Sequence, residues 1–182
     1  ALRARTSIKG TARRTAAEIA EQAERMGGSI APAGGADLID WEMSVPSRHF
    51  ADAFELITDV ALNARFPQAE LDVERKLTIA DLQRTRDDMY RYPLRLCMQA
   101  GFAGHPYGYP LDALEGGVAS CTKDELIAWQ RARMSEPWVV IAGDIDPERA
   151  AHAVDALMPE LAPEAPPPGM RPRWPAEATA LI

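Results

Sequence analysis

The sequence predicts an α+β chain, with helices packed against a mainly antiparallel sheet, and three observations carry that expectation. Residues 37–45 alternate, with Ile39, Trp41, Met43 and Val45 on one side and Asp40, Glu42 and Ser44 on the other. That is the pattern of a strand with one buried and one wet face, as antiparallel sheets have. Two capping boxes, Thr15 with Glu18 and Thr122 with Glu125, mark helix starts: the Thr hydroxyl accepts one orphan backbone N–H while the Glu reaches back to another. Residues 68–91 contain neither Gly nor, until Pro93, any Pro, and straight-chain helix formers dominate them, which predicts one long charged helix.

Taken in order, residues 1–11 read as the tail of a helix closed by Gly10. After the first capping box, Ile19, Ala23 and Met26 line one face of an amphipathic helix that Gly27 and Gly28 end. Residues 29–33 are read as a first strand and Pro32 to Gly35 as a turn. Pro46 breaks the alternating strand, with Ser47 as the expected N-cap of a helix carrying Phe50, Phe54, Ile57 and Ala61 at helical period. Tyr92-Pro93 interrupts the long helix, and a shorter one continues through Leu94, Leu96 and Met98. The Gly- and Pro-rich stretch 104–110 is a loop. The second box opens a helix with Leu126, Ile127 and Trp129 as its apolar contacts. Residues 138–142, Trp-Val-Val-Ile-Ala, are read as a central strand, and Gly143-Asp144 as the turn out of it. Asp146 as N-cap, Pro147 at the first helical position and Glu148 in the first turn start a last helix that runs to about Leu157. Seven of the fifteen prolines lie between Pro159 and Pro175, so residues 159–182 are expected to form a stiff extended linker after a domain spanning 1–158.

Composition bounds the function classes. A chain of 182 residues can bury one substantial core, and 47% hydrophobic against 26% charged residues describes an ordinary globular protein. The net charge of −7 and the lack of a basic stripe with interleaved aromatics exclude a nucleic-acid surface. No apolar run approaches the ~18 residues of a membrane span. Cys97 and Cys121 have no CxxC partner; they are compatible with a disulfide, but the reading taken is two buried thiols. The chain starts at Ala1 without an initiator Met and ends on an apolar stretch, so a piece of a larger polypeptide is expected.

Within the long helix, Glu74 and Asp81 stand two turns apart on one face, with Thr78 between them. Paired carboxylates so placed can bind a metal, orient a ligand, or face water. The three histidines, His49, His105 and His152, offer no pair four residues apart. His105 is read as a turn and packing residue, His49 as a surface residue, and Trp41, Trp129 and Trp138 as core.

The order of elements resembles the first half-domain of the insulinase family, the inverted zinc peptidases that include pitrilysin and mitochondrial processing peptidase. Its carriers here are IKGTARRTAAEIAEQAERMGGSI, LIDWEMSVPSRHF, FELITDVALNARFP, ERKLTIADL, GHPYGYP, TKDELIAW and VVIAGDIDPERA. The resemblance implies paired homologous α+β half-domains closing around an unfolded or extended peptide. It also implies zinc held by two His of an H-x-x-E-H motif, whose Glu is the general base, and by a Glu on a later helix. Anchored on Lys9-Gly10-Thr11, the motif falls on residues 1–5. The ligand positions then hold Ala1 and Arg5, and the general-base position holds Ala4. Glu74 matches the supporting acid, and Asp81 stands where the third ligand would be. Either Arg5 pairs with Asp81 or Glu74, a side-chain cation in the metal's place, or it lies in solvent. The expectation is a non-catalytic half-domain or subunit that binds no zinc itself and walls a peptide chamber for a zinc-bearing partner. The alternative is a purely structural subunit resembling the core proteins of the bc1 complex; an active peptidase on this chain alone is the third reading. Ala- and Arg-rich usage suggests a bacterial source, periplasmic or cytoplasmic.

Overall fold

The structure, a computed structural model, describes residues 1–35, 37–133 and 137–158. Helices α1 (Leu2–Ser7) and α2 (Ala16–Arg25) precede a hairpin of β1 (Ile30–Gly34) and β2 (Ile39–Met43). Then follow α3 (Phe50–Asn63), α4 (Gln68–Arg84), α5 (Arg91–Gly101), α6 (Leu111–Ser120), α7 (Lys123–Arg133) and α8 (Pro147–Leu157). The α+β class holds, with helices dominating a two-stranded antiparallel sheet among the described residues.

In the hairpin Ile30 faces Met43 and Gly34 faces Ile39, and burial alternates along both strands. The inward residues Ile30, Trp41 and Met43, with Ile8 and Val45, cover a core of Ile19, Ala23 and Met26 from the α2 side and Ala53, Leu56 and Val60 from α3. The first capping box is formed in full: Thr15 N–H donates to Glu18 Oε2 at 2.7 Å and Glu18 N–H donates to Thr15 Oγ1 at 3.3 Å. A second core joins Leu2 of α1, Ala64, Phe66, Leu71 of α4 and Leu126 of α7, and the second capping box starts α7 as expected.

Two backbone hydrogen bonds tie the loop after α1 to one corner of the fold. Arg65 N–H donates to Gly10 O at 2.9 Å and Ala12 N–H to Asn63 O at 3.1 Å, so the loop after α1 runs along the corner between α3 and α4. Gly10 has φ +153°, and a Cβ there would sit 3.0 Å from Pro67 Cγ, so the close approach requires glycine. Phe66 occupies the left-handed region at φ +47° with its side chain fully buried. Burial of the ring offsets a conformation that bulky residues rarely adopt. Beneath this corner lies the fully buried carboxylate of Asp59. It accepts from Thr11 Oγ1 (2.8 Å), Arg14 Nη1 (2.6 Å), Asn63 Nδ2 (3.0 Å) and Arg13 Nη2 (3.2 Å). Burial alone would raise its pKa; these hydrogen bonds and the Arg13 charge outweigh it and hold the carboxyl below its ordinary range.

Several expectations are corrected. Residues 138–142 form no strand, and Trp138 and Val140 are 94% and 88% exposed, because no neighbouring strand among the described residues pairs with them. The charged helix ends at Arg84. After a 3₁₀ turn, Asp88 Oδ1 accepts from the Tyr90 and Arg91 N–H groups (2.9 and 2.8 Å) and begins α5 separately. Pro93 lies in the first turn of α5, where its missing N–H costs nothing. Helix α6 was not expected at all. Pro32 belongs to β1 opposite Trp41 rather than to a turn. Ser47 caps nothing; it opens a 3₁₀ turn that leads into α3 at Phe50. The cap of α1 is Ile8, two residues before Gly10. On α3 the deepest face is Ala53, Phe54, Leu56 and Val60, with Phe50, Ile57 and Ala61 only half-buried. Both cysteines are free, Cys97 exposed and Cys121 half-buried, rather than core thiols. Trp41 is half-buried and Trp129 is 43% exposed, so of the three expected core tryptophans none is fully inside. His49 is half-buried. The expected linker, 159–182, lies outside the described residues.

Candidate functional site

Helix α1 lies between β1 and the middle of α4, and the cleft between them is lined by Ala1, Ala4, Arg5, Ile8, Lys9, Pro32, Gly34 and Glu74. Its volume is about 470 Å³. Every motif position singled out in the sequence, Ala1, Ala4 and Arg5, therefore opens onto one cavity, opposite one of the two acids singled out on α4.

That acid is Glu74. Its side chain is 6% exposed, and two cations hold it: Arg5 Nε donates to Oε2 at 2.9 Å and Lys9 Nζ lies 3.2 Å from Oε1. Burying a carboxylate is costly unless it is paired, and here each oxygen has its own positive partner. Thr78, one turn on, turns its hydroxyl back to the Glu74 carbonyl at 2.7 Å and takes no part in the cleft. Of the two arrangements open for Arg5, the structure shows the pair with Glu74. Lys9 as a second cation was missed, although its spacing of four from Arg5 was a usable signal.

Asp81, the second acid singled out on α4, does not line the cleft. Two helical turns carry it about 10 Å along α4 from Glu74. There its half-exposed carboxylate lies 3.5 Å from Arg91 Nη2 and 3.8 Å from Arg84 Nη2. His105 is buried in its own loop, where Nδ1 accepts from Tyr107 N–H at 3.2 Å and the two rings meet edge to face at 4.4 Å. This is a capping and packing role, as the sequence suggested. His152 is exposed on α8.

The other side of α1 holds a residue with no local sequence signal. Arg3 is 6% exposed, with its guanidinium 4.3 Å from the Trp129 ring and 5.5 Å from the Trp41 ring. Among the described residues its Nε and Nη2 have no hydrogen-bond partner, and burial pulls its pKa down to about 10. Trp41 is itself fixed by donating Nε1–H to Ser7 Oγ at 2.8 Å.

The cleft does not fit a zinc ion. Tetrahedral zinc takes three or four His, Cys or carboxylate ligands, and among the described residues no group of three such side chains is placed to hold a metal. The lone carboxylate of the lining is already neutralised by Arg5 and Lys9, whose charges would repel a dication.

Comparison with known proteins places this geometry. The sequence profile of the insulinase family (Peptidase family M16) matches residues 2–113. An uncharacterized zinc protease of Mycobacterium tuberculosis (strain CDC 1551 / Oshkosh) is 26% identical over 141 residues, 76% of this chain and 32% of that protein. The uncharacterized zinc protease YmxG of Bacillus subtilis (strain 168) is 27% identical over 140 residues, 76% of this chain and 34% of its own. The chain thus spans about a third of the length of the curated relatives it matches. Among solved structures, a Helicobacter pylori protease superimposes with TM-score 0.74 at 12% identity, over 95% of this chain and 42% of that one. The first half of the Escherichia coli periplasmic protease PqqL gives 0.69 at 18% identity, over 98% and 40%. A Pseudomonas fluorescens structure described as a peptidase M16 inactive domain gives 0.64 at 19% identity, over 71% and 32%. With the profile covering more than half of its residues and the same fold recurring in these structures, the chain belongs to the insulinase family, Peptidase family M16.

Proposed function

We propose that this chain is a non-catalytic half-domain of an M16-type zinc peptidase, forming part of the peptide-binding chamber of an assembly whose zinc is carried by a second, homologous half. The observation that carries the reading is the cleft at α1. Where the family's motif falls, side-chain cations and small residues stand in place of ligands and base, and Glu74 is committed to Arg5 and Lys9. The Pseudomonas fluorescens structure described as an inactive M16 domain supports the same reading. In this proposal residues 1–158 form the half-domain and 159–182 lead toward the partner half, fused or separate. The substrate is an extended or unfolded peptide, and the compartment is the bacterial periplasm or cytoplasm. Among the described residues no helix is long and apolar enough to cross a membrane.

The test is zinc analysis and a peptidase assay on unfolded casein, with this chain alone and with its full-length protein or partner half. The expected result is substoichiometric zinc and no turnover for the chain alone, with activity appearing only when a zinc-bearing half is present. Stoichiometric zinc held by this chain, or chelator-sensitive turnover by it alone, would overturn the proposal.

A further inference from the structure

The cleft holds more positive charge than its own carboxylate uses. Arg5 and Lys9 are its two side-chain cations and Glu74 its one side-chain anion. Arg5 spends only Nε on Glu74; among the described residues its two terminal nitrogens have no hydrogen-bond partner. Other partly buried arginines of the chain behave differently. Arg14 donates Nη1 to Asp59 and Nη2 to Glu55, and Arg75 donates Nη1 to Asp72 and Nη2 to the Cys121 carbonyl. Arg5 alone of these three keeps its fork free, and it does so on a wall of the cleft.

Glu74 cannot absorb the excess, because its side chain is buried and each oxygen already has a partner. The cations themselves stay reachable, with side chains 42% and 30% exposed. A guanidinium with both terminal N–H groups unspent is the shape that grips a carboxylate in two parallel hydrogen bonds, and Lys9 adds a second point charge close by. The remaining lining, Ala1, Ala4, Ile8, Pro32 and Gly34, is small or apolar and leaves room for the chain that carries the carboxylate.

We infer that this cleft is a carboxylate receptor for a peptide, taking its C-terminal carboxylate or an Asp or Glu side chain on the free fork of Arg5 with Lys9 beside it. The overall charge of −7 does not prevent this, since charges more than about 8 Å away are largely screened at physiological salt. The choice of a peptide as carrier rests on the proposed function; the receptor itself rests on the geometry.

The test titrates four Gly-Ser peptides of equal length into the full-length protein by calorimetry: one with a free C-terminus, one amidated, and two amidated with an internal Glu or Gln. The expected result is that the free-acid or the Glu peptide binds at least about tenfold more tightly than its neutral counterpart, the smallest effect expected of a bidentate charge-assisted pair. Which of the two shows the preference identifies the source of the carboxylate. Arg5→Lys keeps a cation on Glu74 but removes the fork, and should abolish the preference with the melting temperature maintained; Arg5→Gln should abolish it too, with a lowered melting temperature because Glu74 then keeps only Lys9. Equal binding of acidic and neutral peptides, a preference that survives both substitutions, or displacement of the peptide by equimolar acetate would each overturn the inference. Zinc content and casein turnover decide the proposed function separately. A zinc-free, inactive chain with no acid preference therefore loses this inference alone.

Discussion

Replacing Arg5 and Lys9 together by methionine should destabilise the protein more than removing the acid they hold. Glu74 has a side chain 6% exposed, so Arg5→Met with Lys9→Met strands a negative charge in the interior. Removing the partners of a fully buried charge costs about 3–5 kcal/mol. Water reaches this pair, because the cations are 42% and 30% exposed, which lowers the expected loss to about 2–3 kcal/mol. Glu74→Gln is different. The freed cations can turn to solvent and the amide keeps an acceptor, so about 1 kcal/mol is expected. Adding Glu74→Met to the double variant removes the stranded charge and should bring stability back to within about 1 kcal/mol of the parent. Urea unfolding at neutral pH, with the slope shared among variants, measures all three. The reasoning is refuted if the double variant loses no more than Glu74→Gln, or if the triple variant is no better than the double.

The folded pKa of Asp59 is depressed below its ordinary 3.8, so its contribution is fully present above that value and is lost as pH falls through the lower folded one. Asp59→Asn should therefore lower the unfolding free energy in urea at neutral pH by about 2–3 kcal/mol, for lost hydrogen bonds to a charged group, and the difference should shrink in acid; a constant gap down to the acid transition would contradict this. Arg3→Met exchanges two unmet buried donors for lost ring contacts. The donors cost about 1–3 kcal/mol each and the ring contacts return about 1–2 each, so equal or higher stability is expected with altered tryptophan fluorescence, and a loss beyond about 1 kcal/mol counts against it. Gly117→Ala in α6 meets nothing within 4 Å and should gain up to about 1 kcal/mol, whereas Gly10→Ala, crowded by Pro67 at φ +153°, should lose at least as much. Thermal melts of both variants moving in the same direction would show that the loop and helix assignments are at fault.

What the sequence made legible was local chemistry. Both Thr–Glu boxes, the Asp146–Pro147 helix start and the 39–43 alternation depend on neighbours a few residues away, and all appear in the structure. Helix α6 escaped because Gly116 and Gly117 weaken its propensity signal; only its contact with α4 reveals why it persists. The long helix was overextended because composition continues through residues 85–91 while the Asp88 carboxylate captures the next N–H groups. In the cleft, Glu74 stood out with Asp81 by their two-turn spacing, and Arg5 by where the family's motif falls. That Glu74 rather than Asp81 meets Arg5 is set by the packing of α1 against α4 and not by the pattern of either helix.

The ribbon of residues 137–142 has a practical consequence. Trp138, Val139 and Val140 lie open to water with their backbone outside any ladder among the described residues, and such an unblunted segment templates association with any strand it meets. Purified apart from its neighbours at high concentration, the chain should clump through this ribbon, and a charge placed at Val140 should keep it dispersed without touching the cleft on α1.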